Sequence, residues 1–523
     1  MRKITGLVIV LMMAFTTVVF AAGQREAAAV SDRIEFSYLR PVWGPATYER
    51  GSDFEQMMFE RANARIDVQI VPVFDYEAVF PTLIAGGTMA DVMWHAGPQW
   101  GVAAELIDQG AFLPLNDYLD RYPAVQAAVA DGTWDLTRSP DGNNYFFPMP
   151  LSPFVPFPIY YRVDVFNELG IAVPQTIDEF VEALKVIRDN RPDLVPLTAH
   201  EYSLWYFQNV GPAFGYGFGN WVPDPNDPSR IVPSIITQGH RDFLEWLQML
   251  RREELIDPDY LIATGMLGVD KFTSGRAATM VGHWMGYADW VTELRMTEPN
   301  ADVAFLPQLE GPAGRMGAVG LTGFDRGFSI SSRSAAKADD IFRFLNWYYT
   351  DGYDFMRWGV EGEMFEYNDA GDRIPIRDED RKPGFKRPNV EPLQFPLKSA
   401  DVIPGHGMDW RDMYNTLEAR GLEDRIDMIR SMFEESAANV FPNYNRMTFS
   451  PTNAEIGSQL NEQYIRPMQE QLVIDPNAPM SLFDEAIENW LRAGGARIIE
   501  EVNEIQTDKS RPDIAYEYTG REY

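Results

Sequence analysis

Strand and helix patterns alternate from residue 34 to residue 97, and no other feature of the sequence restricts the fold as much. Ile34, Phe36 and Tyr38 alternate with polar residues, as in a half-buried strand. Apolar patterns then follow in the order helix, strand, helix and strand, at residues 53–62, 65–73, 76–87 and 90–97. This alternation predicts a parallel, doubly wound α/β sheet, because each helix returns the chain to the start of the next strand.

The size and charge of the chain limit the number of lobes and the kinds of partner that we expect. With 523 residues the chain exceeds a single hydrophobic core, so we expect two or more lobes. The formal net charge of −32 disfavours nucleic acid as a partner, because phosphate binding needs a basic face. The same charge favours a soluble protein that stays monomeric. Cysteine is absent, which excludes disulfides, a thiol nucleophile and cysteine-bound metal.

The N-terminus has the pattern of an export signal. Arg2 and Lys3 precede an apolar run at residues 4–21, and Val19-Phe20-Ala21 fits a small-x-small cleavage site. We therefore predict a signal peptide at 1–21, a linker at 22–31 and a periplasmic or extracytoplasmic location. Without a cysteine no lipid can be attached. A retained membrane anchor is the alternative, because the run is nearly long enough to span a bilayer.

Five short motifs occur in a characteristic order over nearly the whole mature chain. They are LIAGGTMADVMW (83–94), GAFLPLNDYL (110–119), DGNNYFFPMP (141–150), YYRVDVFNELGIAVPQTIDEF (160–180) and FTSGRAATMVGHW (272–284). Together they resemble the extracellular solute-binding proteins of ABC importers, in the sugar- and oligosaccharide-binding branch related to maltose-binding protein. Each motif alone is weak, but five in this order behind an export signal are specific.

The resemblance implies an α/β, two-lobed periplasmic-binding-protein-like fold. Each lobe would hold a mostly parallel sheet flanked by helices, with the ligand in a cleft between the lobes. We expect lobe 1 to comprise 32–150 and 305–350, and lobe 2 to comprise 151–304 and 351–523. Crossing segments are expected at 148–161, at 301–312 and near 346–352. The implied partners are an oligosaccharide or other sugar and the transmembrane permease subunits of an ABC transporter.

The sequence departs from the family pattern at two places. Gly87 stands where the family often has an acidic residue. Long members often carry a calcium loop after the helix that begins near Thr176, but here that helix continues into IRDNRPDLVPLT. Asp189, Asn190 and Asp193 offer too few oxygen ligands for calcium. We therefore predict no metal and no cofactor.

The candidate ligand residues come from loops at the carboxyl ends of predicted strands, where open α/β sheets bind ligands. This rule selects loops 41–48, 94–99, 200–206, 282–290 and 320–326. Flat sugar faces stack on aromatic rings, and sugar hydroxyls bind carboxylates, amides and arginine. The predicted ligand-binding set is Trp43, Trp94, His95, Trp205, Trp284, Tyr287, Asp289, Arg326, Trp358 and Glu361. Trp284 is the foremost candidate, and the alternative is that these rings pack the inner rims of the lobes.

Two questions about function stay open at this point. The acidic chain favours a neutral oligosaccharide, but Arg40, Arg162 and Arg326 could each supply a local positive charge for an acidic sugar. A secreted carbohydrate-active hydrolase or a lectin-like surface protein could also use an aromatic cleft. With 77 acidic residues, almost any two carboxylates could be proposed as the catalytic pair of a glycosidase, so this signal is not specific. No hydrolase or nucleotide-binding motif is evident. We therefore predict a binding protein and no enzyme.

Overall fold

The computed structural model describes residues 33–506 except 43–46, 73–74, 98–100, 140, 151–153, 155, 201–203, 261–265, 316, 321–323, 370, 372, 377, 400–412, 414–415 and 446–449. The predicted signal peptide, the predicted linker and Trp43 lie outside the described residues. Within those residues, no helix is both long and apolar enough to cross a membrane.

The described chain forms strands and helices that alternate over most of its length. In chain order they are β1 (Ile34–Val42), α1 (Asp53–Ala62), β2 (Ala64–Pro72), α2 (Tyr76–Ala85), β3 (Val92–His95), α3 (Gly101–Asp108), α4 (Asn116–Arg121), α5 (Pro123–Gln126), α6 (Asp131–Leu136), β4 (Phe147–Pro150), β5 (Ile159–Arg162), α7 (Val163–Leu169), α8 (Ile177–Asn190), β6 (Val195–Ala199), β7 (Trp221–Asp224), β8 (Asp227–Pro233), α9 (Gln238–Arg252), α10 (Leu267–Thr273), β9 (Ala277–Val281), α11 (Tyr287–Thr297), β10 (Val303–Phe305), β11 (Glu310–Gly311), β12 (Gly314–Arg315), β13 (Phe324–Ile330), α12 (Ala338–Tyr349), α13 (Tyr353–Trp358), β14 (Phe365–Tyr367), β15 (Arg373–Pro375), α14 (Arg387–Val390), α15 (Ile426–Ala438), α16 (Ser458–Leu460), α17 (Arg466–Ile474), α18 (Ser481–Trp490) and α19 (Ala496–Ile505).

The first lobe is built on a five-stranded sheet in the order β2-β1-β3-β13-β4. β1 is parallel to β2 and β3, whereas β13 is antiparallel to β3 and β4. Helix α12 packs its apolar side on β1, where Phe344 meets Phe36 at a ring-centroid distance of 5.4 Å. The three parallel strands match the predicted strand–helix alternation.

The second lobe is built on a four-stranded sheet in the order β10-β5-β9-β6. β6 and β9 are parallel, and β5 is antiparallel to both β9 and β10. The C-terminal helices α17 and α18 complete the core of this lobe, with α17 packed on α9. The two-lobed α/β fold is thus confirmed, and each sheet is mostly parallel with one antiparallel strand, β13 in the first sheet and β5 in the second.

The lobe boundaries differ from the prediction in two places. Residues 353–395 were assigned to the second lobe, but Phe355, Phe385 and Phe395 are buried in the core of the first. Residues 305–312 were assigned to the first lobe, but Leu306 and Leu309 are buried in the core of the second. Apolar side chains spaced within a polar, Pro-rich stretch fill the first core, which local sequence pattern does not reveal.

The crossing segments lie side by side. Phe154, after β4, pairs with Gly320, before β13, and Val319 pairs with Phe441 after α15. The crossing predicted at 148–161 is therefore in place, whereas the return crossing lies near residues 319–320 and not at 301–312, which belongs to the second lobe. Residues 346–352 do not cross, because they join α12 to α13 within the first lobe. The lobes also touch away from these segments, where α3 packs against residues 453–457.

The motif residue Asp91 ties several elements of the first lobe together. Its carboxylate accepts hydrogen bonds from the Ser37 backbone N–H at 2.7 Å, from the Ser334 hydroxyl at 2.6 Å and from Lys337 Nζ at 2.8 Å. Burial raises the pKa of Asp91, but these hydrogen bonds outweigh burial and lower it below its usual value. The aspartate of the first motif therefore has a structural role.

Two other predicted local features have clear geometric roles. Thr176 caps α8, accepting from the Glu179 backbone N–H at 3.1 Å, and the Glu179 carboxylate accepts from the Gln175 N–H at 2.7 Å. The predicted capping residues are confirmed. Gly87 has φ of +69°, a left-handed conformation that favours glycine over the acidic residue common in the family.

Candidate ligand-binding cleft between the lobes

The carboxyl ends of the parallel strands in both sheets point toward the crossing segments. β4 is parallel to β3, so the chain leaves the first lobe at the edge where β1 and β3 end. It enters the second lobe at Ile159, which pairs with Val281 at the carboxyl end of β9. The two carboxyl edges therefore both face the crossing segments. Open α/β sheets bind their ligands at these carboxyl edges.

Aromatic rings cluster at the carboxyl edge of the second sheet. His200 follows β6, and its ring lies 4.8 Å from Trp290 and 4.6 Å from Tyr206, measured between centroids. Phe157, just before β5, meets Tyr206 edge-on at 5.4 Å and His283 at 5.1 Å. We call His200, Tyr206, Phe157, His283 and Trp290 the aromatic edge.

Trp205 adds an exposed ring beside the aromatic edge. It lies in a 3-10 turn, Leu204–Asn209, and remains 45% exposed, although indole is costly to leave in water. Its ring meets Phe218 edge-on at 6.5 Å. Of the predicted tryptophans that the structure describes, Trp205 offers the most open ring surface for a ligand.

Trp284 and Tyr287 are buried in the core of the second lobe and do not form an open ligand surface. The Trp284 ring meets Phe433 edge-on at 4.8 Å, and the Tyr287 hydroxyl donates to the Val303 carbonyl at 2.7 Å. Both side chains are almost fully buried. The α15 helix, distant in sequence, covers Trp284, so the expectation that this ring stacks on a ligand does not fit its placement.

Two glycines, Gly282 and Gly286, interrupt the aromatic segment at residues 282–290. A Cβ at Gly286 would lie 2.2 Å from the Trp290 ring, and one at Gly282 would lie 3.1 Å from it. Small residues at both positions let Trp290 reach His200. The glycines therefore serve the packing of the aromatic edge.

Trp94 and Arg40 lie at the carboxyl edge of the first sheet. Tyr38 pairs with Val92 and Leu39 with Met93, so the register places Arg40 level with Trp94. The Arg40 guanidinium carbon lies 5.3 Å from the Trp94 ring centroid. Trp94 is buried, so its face is covered by the lobe's own side chains.

His95 uses both ring nitrogens inside the first lobe. The Gly97 N–H donates to Nδ1 at 3.1 Å, which leaves Nε2 as the donor toward Ser329 Oγ at 2.8 Å. Burial lowers the pKa of His95 to about 3, so the ring is neutral. The expectation that His95 binds ligand does not fit this arrangement, because no ring nitrogen remains for another partner.

The remaining predicted residues lie at three different places in the fold. Asp289 is exposed on α11 and pairs with Arg420. Trp358 ends α13, where the Arg373 guanidinium carbon lies 5.1 Å from its ring, and Glu361 is exposed in the turn that follows. Arg326 lies near the start of β13, at the carboxyl edge of the first sheet.

The acidic residues at the C-terminal end of α8 and just after it pair with arginines. Asp189 accepts from Arg188 at 2.7 Å, and Asp193 accepts from Arg191 at 3.0 and 2.8 Å. In the described part of the chain, no three histidine, aspartate or glutamate side chains are arranged to hold a metal ion.

Comparison with known families identifies the chain. The family described as bacterial extracellular solute-binding protein matches residues 41–354, which is more than half of the chain. The chain belongs to this family. This solute-binding protein therefore works outside the cytoplasm, as its family description states.

Its relatives and structural neighbours support the same architecture. The polygalacturonan/rhamnogalacturonan-binding protein YtcQ of Bacillus subtilis is 20% identical over 461 residues, which are 84% of this chain and 85% of that protein. The crystal structure of the alginate-binding protein AlgQ2 without calcium ion matches with a TM-score of 0.70 and 16% identity, covering 91% of this chain and 98% of that one. The FusA substrate-binding protein of S. pneumoniae, in complex with kestose, matches with a TM-score of 0.66 and 15% identity, covering 90% and 98%. These likenesses confirm the fold of the solute-binding protein.

The aromatic edge contains residues that the sequence did not single out as ligand residues. His200 and Tyr206 lie in a loop chosen by the strand-end rule, yet only Trp205 was selected there. Phe157 lies in the crossing segment, and Trp290 lies at the end of the selected loop 282–290, which the structure places on α11. A search for every aromatic residue within a few positions of a strand end would have found His200, Tyr206 and Phe157.

Proposed function

We propose that this protein captures an oligosaccharide between its lobes and delivers it to the permease subunits of an ABC importer. The observation that carries the proposal is the exposed Trp205 ring beside the aromatic edge, at the carboxyl end of β6. Sugar rings present flat C–H faces to aromatic rings, and binding sites combine such rings with a few polar groups.

The names of the relatives agree with a carbohydrate ligand. YtcQ is a polygalacturonan/rhamnogalacturonan-binding protein, AlgQ2 is an alginate-binding protein, and the FusA structure contains kestose. Export by the predicted signal peptide, without lipidation, would bring the protein to such sugars outside the cytoplasm. We propose that the protein acts as a monomer and binds its ligand without chemical change.

Calorimetric titration with a panel of oligosaccharides tests the proposal. We expect saturable binding of at least one oligosaccharide, which chromatography then recovers intact. Shortened products would instead support the hydrolase alternative. Absence of binding to every sugar in a panel of acidic and neutral oligosaccharides would contradict the proposal.

Replacing Trp205 tests whether its exposed ring contacts the bound sugar. Trp205→Ala is expected to weaken binding of the sugar identified in the panel by about 1–3 kcal/mol, the cost of losing a central aromatic contact. Trp205→Phe keeps a ring and should retain most of the affinity. Tyr367→Ala removes a similarly exposed ring from β14 and serves as the control, with no change expected. Equal affinities for wild type and Trp205→Ala would remove Trp205 from the site.

A further inference from the structure

The first lobe buries an arginine without an acidic partner at the cleft edge. Arg40 is 8% exposed and lies near the carboxyl end of β1. One of its terminal nitrogens donates to the Gln394 carbonyl, and its Nε has no hydrogen-bond partner. Among the described residues, no carboxylate forms an ion pair with it. Burying a guanidinium without a counter-charge is unfavourable, so its presence calls for an explanation.

Arg162, in the second lobe, shows the contrasting case. It is equally buried, but its Nε and a terminal nitrogen donate to the two oxygens of Asp164 at 2.8 and 2.6 Å. Its charge is therefore balanced within the protein. Of the two buried arginines that the sequence nominated for an acidic sugar, only Arg40 remains uncompensated within the described residues.

Two neighbours of Arg40 also carry buried donors. The Trp94 indole Nε1 has no hydrogen-bond partner among the described residues, and the Tyr38 hydroxyl lies against the Arg40 guanidinium. Burial raises the pKa of Tyr38 far above its usual value, with the Arg40 guanidinium opposing the shift, so the hydroxyl keeps its proton. The three side chains thus present donors to one neighbourhood, which suits a group that only accepts hydrogen bonds.

The location of these donors connects them to the ligand. Arg40 lies level with Trp94 at the carboxyl edge of the first sheet. Trp205 lies after β6, at the carboxyl edge of the second sheet. A ligand lying across the crossing segments between these two edges would have Arg40 on one side and the Trp205 ring on the other.

We propose that Arg40 binds the carboxylate of an acidic sugar, so that the captured ligand is a uronic-acid-containing oligosaccharide. This inference rests on the proposed function and deepens it. The planar guanidinium fork matches a carboxylate, and such charge-assisted bonds are about twice as strong as neutral ones. With a net charge of −32, the protein repels anions at long range, so selection of an acidic sugar needs a fixed local charge of this kind.

The test compares matched acidic and neutral oligosaccharides by calorimetric titration of the full-length mature protein. The pairs are trigalacturonate with galactotriose and trimannuronate with mannotriose. We expect at least one acidic member to bind about 30-fold or more tightly than its neutral partner, which corresponds to about 2 kcal/mol. Arg40→Gln should abolish this preference, and Arg40→Lys should retain part of it because it keeps the charge.

Arg162→Gln is the matched control, because it also removes a buried arginine. It should leave the preference for the acidic sugar unchanged, and thermal unfolding verifies that each variant is folded. Binding of neutral oligosaccharides alone, or a full preference retained by Arg40→Gln, would overturn the inference while leaving oligosaccharide capture intact. Failure of both acidic and neutral sugars to bind would instead count against the proposed function.

Discussion

Between pH 7.5 and pH 5 the free energy of unfolding of this protein is expected to fall by about 6 kcal/mol, because three buried histidines must remain neutral in the folded state. Burial lowers the pKa of His95 to about 3 and the pKa values of His200 and His240 to about 4, from an ordinary value of 6.5. The folded-state pKa values lie below the unfolded-state value. The free energy of unfolding is therefore highest above pH 6.5, and it decreases as the pH falls toward the folded-state pKa values.

The contacts of His240 show why protonation is unfavourable. Nδ1 lies 2.7 Å from the Ile235 carbonyl and therefore carries the proton, so Nε2 accepts from Gln469 at 3.0 Å. The ring stacks on Tyr216 at 4.1 Å. A second proton would place two donors face to face at Nε2 and bury a charge.

Urea unfolding at a series of pH values measures this effect. His95 belongs to the first lobe and His200 and His240 to the second, so a separate transition of the second lobe should lose about twice as much stability. His240→Gln serves as the control: it removes one titrating group and should reduce the loss between pH 7.5 and pH 5 by about 2 kcal/mol. Constant stability over this range would show that these histidines titrate freely in the folded protein.

Trp284→Ala is expected to lower the free energy of unfolding by about 3–5 kcal/mol while leaving the ligand affinity of the folded protein unchanged. Trp284 is fully buried and packs on Phe433, so truncation leaves a large cavity between β9 and α15. Urea unfolding gives the stability, and calorimetry at low temperature gives the affinity.

Trp205→Ala is the matched control, because it removes the same side chain from an exposed position. It should lower affinity with little effect on stability, the reverse of Trp284→Ala. If Trp284→Ala lost affinity and kept its stability, the ring would belong to the ligand site and its placement in the core would be wrong.

The contrast between these two tryptophans shows where the sequence stops being informative. Both lie in turns after a strand, next to glycine or polar residues, so local pattern gives them the same role. Their difference arises from α15, more than a hundred residues later, which covers Trp284 and leaves Trp205 open. Coverage by a distant element is a tertiary effect, and periodicity does not encode it.

The same reason explains the error in the lobe boundary. Residues 366–398 are polar and rich in proline, so their local pattern does not indicate a core segment. Phe385, Val390 and Leu393 nevertheless fill the core of the first lobe. By contrast, the Thr176 cap depends only on near neighbours in sequence, and this part of the fold was predictable.

The central claim is that an oligosaccharide draws the two lobes together, and a spin-label distance across the cleft tests it most directly. The chain has no cysteine, so Glu105→Cys on α3 and Glu455→Cys in the segment packed against it can be labelled without background. We expect a short, narrow distance distribution with bound oligosaccharide and a longer, broader one without it. A Glu105→Cys and Arg65→Cys pair within the first lobe should not change. An identical Glu105–Glu455 distance with and without a saturating, calorimetrically verified sugar would contradict capture by lobe closure.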